Sequence, residues 1–405
     1  VTATPQRSLT SRRVQAVQNS LTLEITSKAA DMRAKGHDVV AFAAGEPDFD
    51  APDYVKDAAI AAVKGGKGKY TAAMGMPELR KAVSEKFRKQ DGFDFAPEEV
   101  ICTSGAKHSL YNALYSVCNP GDEVVFPAPY WNSYPDMVRA VEAVPVSVET
   151  KLETGYEADA EAIRKAITPK TRMLILNSPN NPTGAVYSRA TLEGIARLAR
   201  ETGIVVLCDD IYEHLTYDGA KYLSLLHVAP DLKGQTIVVN GLSKSHCMTG
   251  WRLGFAGGPR EIIAAMGRFQ SQATSHPSSI TQHAAVAALT SGVSVNHAMV
   301  DEFARRRDLI YEGLRALPGV KCPVAPRGAF YVFPDFSAYL GKSLRNGRFF
   351  KTATDLSAAL LEEEYVATIP GDSFGAPMNV RFTYTCSAET IRKGLDRLAR
   401  FLAPL

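Results

Sequence analysis

The stretch Asn240-Gly241-Leu242-Ser243-Lys244-Ser245-His246-Cys247-Met248-Thr249-Gly250-Trp251-Arg252-Leu253-Gly254 follows the apolar run Thr236 to Val239, which reads as a buried strand. It sets a lysine between two serines, with an arginine eight residues on, boxed by glycines. Alone, Lys244 reads either as a surface charge or as a nucleophile that holds an aldehyde group, with Ser243 and Arg252 placed for a phosphate. The rest of the chain decides between the two.

On either side of this stretch, helices alternate with short apolar runs. Val100 to Thr103 predicts a strand ending at Ser104-Gly105-Ala106-Lys107, followed by a helix through Leu110 and Leu114. Glu123 to Phe126 ends at Pro127-Ala128-Pro129-Tyr130-Trp131, and Met173 to Leu176 ends at Asn177-Ser178-Pro179-Asn180-Asn181-Pro182-Thr183-Gly184. After a helix from about Thr191 to Glu201, Ile204 to Leu207 ends at Asp209-Asp210-Ile211-Tyr212, and Arg252 to Ala256 reads as one more strand. Such alternation implies an α/β fold, a three-layer sandwich with a mainly parallel sheet covered on both faces. Ligands of such sheets bind beyond the carboxyl ends of the strands, where the polar and glycine residues of this chain cluster.

The flanks differ. Residues 10 to 35 predict a helix with Leu23 and Met32 on its apolar side. Val39 to Phe42 reads as a strand ending in Ala44-Gly45-Glu46-Pro47-Asp48, and residues 53 to 64 and Pro77 to Lys89 read as helices around the loop Gly65 to Tyr70. Residues 281 to 316 predict one or two long helices. From Gly319 onward, strands at Ala329 to Phe333 and Val380 to Tyr384 mix with helices at Thr354 to Glu364 and Ala388 to Leu402, the pattern of a second, α+β domain.

Composition narrows the class. The 405 residues are 45% hydrophobic and 22% charged, with a net charge of +3. This is ordinary globular usage, and the charge is too small to argue for nucleic acid or an anionic membrane. No apolar run approaches a membrane span. Val1 to Arg13, with Arg7, Arg12 and Arg13 and no apolar core behind them, does not read as a secretory signal. The cysteines Cys102, Cys118, Cys208, Cys247, Cys322 and Cys386 lack CxxC spacing and several sit in apolar runs. They read as packed, reduced thiols of a cytoplasmic protein, with no metal site.

Each candidate site residue has a plain structural reading. Asp209 at a strand end fits a helix cap, Trp131 a core aromatic, Asn180 to Gly184 an ordinary turn, Arg381 a surface charge and Tyr70 loop packing. Together they form one chemical inventory. A pyridine aldehyde cofactor bearing a phosphate needs a lysine for its Schiff base, and an acid beside the ring nitrogen so that the ring accepts electrons. It also needs donors to the ring oxygen, an aromatic to stack on the ring, and a phosphate cradle at a helix start.

With Ala44-Gly45-Glu46-Pro47-Asp48-Phe49, Lys69-Tyr70, Pro129-Tyr130-Trp131, Asn177 to Gly184, Asp209-Asp210-Ile211-Tyr212-Glu213, Ser243-Lys244 and Met248-Thr249-Gly250-Trp251-Arg252 in this order, the chain resembles the fold-type I, class I/II pyridoxal-phosphate aminotransferases. It is most similar to the thermophile-type aspartate aminotransferases of bacteria, over nearly its whole length. Asp210 stands where that family usually has glutamate, which keeps the charge. The resemblance implies three divisions: residues 1–48 as an N-terminal arm and part of a small domain, 49–310 as a large cofactor-binding domain, and 311–405 as the small C-terminal domain.

It also implies roles. Lys244 would form the Schiff base with pyridoxal 5'-phosphate and later move a proton between substrate and cofactor. Asp209 would pair with the ring nitrogen, Tyr212 and Asn181 would donate to the ring oxygen, and Trp131 would stack on the ring. Ser243, Arg252 and the backbone of Gly105, Ala106 and Lys107 would hold the phosphate. Tyr70 would reach that phosphate from the neighbouring subunit, making the protein an obligate homodimer with shared active sites. Arg381 would clamp the substrate α-carboxylate by two parallel bonds, helped by Gly45 and Asn181. Cis peptides are expected before Pro129 and Pro182.

For the substrate side chain, the segment Phe269 to Pro277 lacks the arginine that animal-type aspartate enzymes place there. Lys107, with Ser20 and Thr22, occupies the positions of the cation and hydroxyls that thermophile-type enzymes use instead, although a lysine at a helix start also fits a solvated charge. The resemblance therefore implies transfer of the amino group between L-aspartate and 2-oxoglutarate by a ping-pong route, and possible action on prephenate to give arogenate. A broad aromatic, alanine or kynurenine aminotransferase is the alternative. A regulator built on the same domain would carry a fused DNA-binding domain, for which this chain shows no room and no basic stripe.

Overall fold

The computed structural model describes residues 8–344 and 347–405; residues 1–7, with Arg7, lie outside the described residues. At its centre is a seven-stranded sheet. In spatial order its strands are Val100–Thr103, Gly254–Gly257, Thr236–Gly241, Val205–Asp209, Thr171–Asn177, Glu123–Ala128 and Val144–Glu149. All neighbours pair in parallel except Gly254–Gly257, which runs antiparallel to both of its partners.

Alternation along these strands builds a core on each side of the sheet. Val125, Leu174, Leu176, Val206, Cys208 and Val238 face one layer, where Leu192, Ile195, Ala196 and Ala199 of the Arg189–Thr202 helix cover them. Val124, Met173, Ile175, Val205, Leu207 and Val239 face the other, under Leu110, Ala113, Leu114 and Val117 of the Ala106–Val117 helix. That helix's spacing of three, four and seven residues is the stripe an amphipathic helix needs to cover a sheet.

A smaller domain joins the two ends of the chain. Val40–Ala41 pairs in parallel with Val366–Ala367, and a three-stranded antiparallel sheet has the order Ile369–Pro370, Val380–Thr383, Tyr331–Val332. The helices Ala353–Glu364 and Ala388–Leu402 and the C-terminal part of the His297–Arg315 helix pack with it through Leu356, Leu398, Ile310 and Leu314. Arg381 sits on the central strand and is 2% exposed, so the surface-charge reading fails there.

Several elements differ from the sequence expectation. Residues 10 to 35 form two helices, Arg12–Gln15 and Leu21–Ala34. Leu23 is 70% exposed and lines the mouth of the central cavity, because the second helix lies across that mouth and buries only Ala29 fully. The Pro77 helix is α-helical to Lys86, then widens into a π-turn, Phe87–Asp91, ended by Gly92 in the left-handed region. The strand Val144–Glu149 and the helix Arg260–Ala273 carried no expectation. The strand lies at the sheet edge, so most of its residues keep contact with solvent, and its pattern is diluted. The peptides before Pro129, Pro179 and Pro182 are cis.

Candidate active site

Four adjacent parallel strands end at one place. Thr171–Asn177 delivers Asn177, Val205–Asp209 delivers Asp209, and Glu123–Ala128 leads into Trp131. Thr236–Gly241 leads into Ser243 and Lys244. These residues wall a cavity of about 420 Å3 that is closed on the opposite side by Gly45, Tyr331 and Arg381 of the small domain.

Lys244 Nζ donates to the carbonyl of Gly45 at 2.5 Å and lies 5.4 Å from the Phe330 ring and 5.8 Å from that of Tyr212. Desolvation pushes this amine down to about 8, with Glu46 pulling the other way and Arg381 and Arg252 adding to the fall. A lysine held there is a partly deprotonated base at neutral pH.

Asp209 is buried. Its Oδ2 accepts from the Tyr134 hydroxyl at 2.7 Å, its main-chain carbonyl accepts from Asn177 Nδ2 at 2.8 Å, and its Oδ1 has no partner. Burial pushes its carboxyl up to about 6, while Tyr134 holds it down. Asn177 also takes the main-chain N–H of Asn181 on its Oδ1 at 2.9 Å, so one side chain fixes both Asp209 and Asn181. The hydroxyls of Tyr212 and Tyr331 are 2.6 Å apart, a bond between the large and small domains.

Arg381 donates through Nη1 to Asn181 Oδ1 at 3.1 Å and through Nη2 to the Ala43 carbonyl at 2.9 Å. Its guanidinium lies 4.8 Å from the Tyr331 ring and 5.0 Å from that of Phe374, and its Nε has no partner. A buried cation with an unused donor costs stability unless an anion arrives. Lys107 Nζ stands 4.8 Å from the Trp131 ring in the same cavity. Lys107 is exposed at the cavity wall, and partial desolvation, then the nearby Arg252, lowers its pKa. Thr22 also lines the cavity, held by Asn132 Nδ2 on its Oγ1 at 3.1 Å.

Three expected residues lie outside that lining: Gly105, which sits behind the Arg252 guanidinium, Ser20 and Tyr70. Ser20 is exposed at the start of the Leu21–Ala34 helix and lines an adjoining cavity of about 470 Å3, which shares Lys107 with the first. Tyr70 is 93% exposed and takes no part in lining this chain's own cavity.

The residues fit a phosphorylated pyridine. The unpartnered Oδ1 of buried Asp209 is the acceptor a protonated ring nitrogen needs. The start of the Ala106–Val117 helix has no side chain capping it, so its N–H groups and dipole suit an anion. Gly105, at φ 89°, leaves room that a side-chain carbon would take from the Arg252 guanidinium, and a carbon on Gly254 would collide with the main chain of Gly105 and Ala106. Arg252 itself is in the left-handed region at φ 57°, a strained setting for a non-glycine residue, and donates to the Thr249 carbonyl at 2.7 Å.

Residues 37–398 match the family model of aminotransferase class I and II. The chain belongs to the class I and II aminotransferases. An aspartate/prephenate aminotransferase of Thermus thermophilus is 47% identical over 97% of this chain and 98% of its own. An aspartate aminotransferase of Geobacillus stearothermophilus is 43% identical over 96% and 98%. The solved aspartate aminotransferase of Rhizobium meliloti superposes with a TM-score of 0.94 at 43% identity, covering 98% of this chain and all of that one. That of Thermus thermophilus with maleate gives 0.91 at 46%, with the same coverage.

In this aminotransferase the sequence reading passed over several residues that build the site. Tyr134 and Asn177 orient Asp209, Tyr331 pairs with Tyr212, and Thr249 donates to Glu46 at 2.7 Å. Tyr134 lies three residues after Trp131 on the next helix, which points it back under the strand end. That spacing was the one available signal.

Proposed function

We propose that this transaminase moves the amino group between L-aspartate and 2-oxoglutarate, giving oxaloacetate and L-glutamate by a ping-pong route, with pyridoxal 5'-phosphate as cofactor. The observation that carries the reading is a pair of cations, Arg381 and Lys107, facing one cavity with Lys244 between the strand ends. A substrate with two carboxylates satisfies both. Relatives named for aspartate, and one neighbour's structure with the dicarboxylate maleate, support it.

Lys244, Asp209, Tyr212, Asn181, Trp131, Ser243, Arg252 and the backbone of Gly105, Ala106 and Lys107 would hold the cofactor. When bound, it supplies an electron sink for the charge that develops at the substrate α-carbon. Arg381 fixes the α-carboxylate with parallel donors, and that anchoring orients the α-hydrogen toward Lys244 Nζ. In the cofactor-free protein burial holds this amine at about 8, well below an ordinary lysine, which favours the free base that takes that proton. Lys107 and Thr22 receive the second carboxylate. Asp209, mostly ionised at neutral pH despite burial, keeps its free Oδ1 as a fixed negative partner.

The adjoining cavity, reached past Lys107, supports action on the larger dicarboxylate prephenate as well. The outward Tyr70 supports a homodimer with shared sites. Six free cysteines fit a reducing cytoplasm, and among the described residues no helix is long and apolar enough to cross a membrane. The domain division at 48/49 and 310/311 belongs to the same reading, with the second boundary inside the His297–Arg315 helix that packs into the small-domain core.

The test is a half-reaction screen, in which each amino acid is mixed with the loaded enzyme and the absorbance change of amino-group transfer is followed. Aspartate and glutamate are expected to react fastest. Lys107→Ala is expected to lose aspartate turnover and keep phenylalanine or alanine turnover. Unchanged aspartate turnover in that variant would sink the aspartate assignment, and fast aromatic or kynurenine turnover in the parent would favour the broad-specificity alternative.

A further inference from the structure

The loop that carries Tyr70 is fastened from behind by three side chains. Gln282, fully buried, receives the Met76 N–H on Oε1 at 2.7 Å, and its Nε2 donates to Thr71 Oγ1 at 2.9 Å and to the Pro277 carbonyl at 2.8 Å. Gln270 Nε2 donates to the carbonyls of Ala73 and Cys102. The third is His276. It follows a tight reversal in which the N–H groups of Thr274 and Ser275 both bond to the Gln270 carbonyl at 3.0 Å and Ser275 takes φ 64°. The reversal turns the imidazole under the Tyr70 loop.

Both ring nitrogens of His276 are used. Nε2 accepts the Thr71 N–H at 3.3 Å, and Nδ1 lies 2.7 Å from the Pro277 carbonyl, a contact that requires the proton on Nδ1. The ring meets that of Tyr70 edge to face, with centroids 5.7 Å apart and planes at 89°. Among the described residues this is the one ring contact of Tyr70. A tyrosine so exposed keeps rotamer freedom that docking must remove, at a cost in side-chain entropy.

We infer that His276 is a positioning residue that holds the Tyr70 side chain in its outward rotamer, ready for the phosphate of the cofactor in a second copy of this chain. The inference rests on the proposed reading that Tyr70 acts across a dimer. The segment Phe269 to Pro277, which lacks a substrate-binding arginine, thereby has a task of its own: it sets the reach of the tyrosine rather than touching substrate. An edge-to-face ring pair and a main-chain hydrogen bond together suffice for an effect of about tenfold on binding.

The test uses the dimeric protein, with the pyridoxal phosphate dissociation constant read by absorbance on refilling the cofactor-free form, and hydrogen exchange at the Thr71 amide. His276→Ala is expected to weaken cofactor binding about tenfold and to speed Thr71 exchange. His276→Gln, whose Oε1 falls near the place of Nε2, is expected to restore slow exchange and part of the affinity. Tyr70→Phe is expected to weaken binding by itself, and His276→Ala is expected to add nothing in that background. If Tyr70→Phe weakens binding and His276→Ala leaves it unchanged, or if the two effects simply add, the positioning role is wrong and the cross-subunit role of Tyr70 stands. If Tyr70→Phe has no effect, both fall.

Discussion

The hydroxyl of Tyr134 donates to Asp209 Oδ2 at 2.7 Å and leaves Oδ1 of the same buried carboxylate without a partner. The bond does two things. It fixes the plane of the carboxylate, whose residue lines the cavity, and it stabilises the ionised form against burial. Tyr134→Phe removes the donor and keeps the packing, so the Asp209 pKa rises above its present value of about 6. Cofactor affinity, which needs the ionised carboxylate, is therefore expected to fall off on the acid side at a pH higher by about one unit, the worth of one hydrogen bond to a charge. Titrations of the cofactor-free protein between pH 5 and 8 measure the displacement; superimposable curves for parent and variant would count against the role.

Lys244 makes an opposite contribution to stability. In the cofactor-free protein its pKa is about 8, against 10.5 for an ordinary lysine. Between those values the unfolded chain binds more protons than the folded one, so stability rises with pH across that window. Below pH 8 the full cost of burying the charged ammonium is present, on the order of 3 kcal/mol. Lys244→Met is thus expected to raise the Tm of the cofactor-free protein at pH 7, and the gain is expected to shrink as pH approaches 10. Calorimetry at several pH values reads it. A gain that does not depend on pH would assign the stabilisation to packing instead.

How far the site was legible depends on how local its signals are. Lys244, Asp209, Trp131 and Asn181 each follow a strand within a few residues, so chain order alone places them at one end of a parallel sheet. Arg381 required more. Its strand reads correctly, but the rings against it, Tyr331 and Phe374, have no pattern in the sequence tying them to it. Tyr134, Asn177 and Tyr331 were missed because each acts on another side chain, and a residue that orients an acid looks in the sequence like any core tyrosine or turn asparagine. The helix Leu21–Ala34 failed as an amphipathic reading for a related reason. It lies over the cavity mouth, so Leu23 faces the cavity and not a core.

Lys86 is expected to matter for folding although it never meets substrate. Its ammonium is buried between Asp91 Oδ2 at 2.7 Å and Glu213 Oε1 at 2.5 Å, and the π-turn Phe87–Asp91 is what brings Asp91 back onto it. Burial opposes its charge, but the two carboxylates outweigh burial and hold it protonated. Lys86→Met would leave buried Asp91 without its counter-charge and Glu213 with His214 Nε2, at 3.0 Å, as its remaining ion-pair partner, at a cost of about 3–5 kcal/mol. Because Glu213 closes the loop that bears Asp209 and Tyr212, the lower denaturation midpoint is expected to come with weaker cofactor binding. An unchanged midpoint in urea would show that the carboxylates find protons or water at little cost.

Arg381 and Lys107 are expected to separate the two ends of the substrate. Arg381 is held by Asn181 Oδ1 and the Ala43 carbonyl, with Nε unpartnered, so its planar fork is already aimed when a carboxylate arrives. Arg381→Lys keeps the charge but replaces the fork with a point donor on a flexible stem. Every amino acid carries the α-carboxylate, so kcat/KM is expected to fall for aspartate and phenylalanine alike, by about a hundredfold if two charge-assisted bonds are lost. Lys107→Ala is expected to spare phenylalanine. Measuring kcat/KM for both substrates in both variants gives the comparison. A loss in Arg381→Lys confined to aspartate would mean that this arginine, and not Lys107, faces the side-chain carboxylate, and the orientation of the substrate in the cavity would have to be reversed.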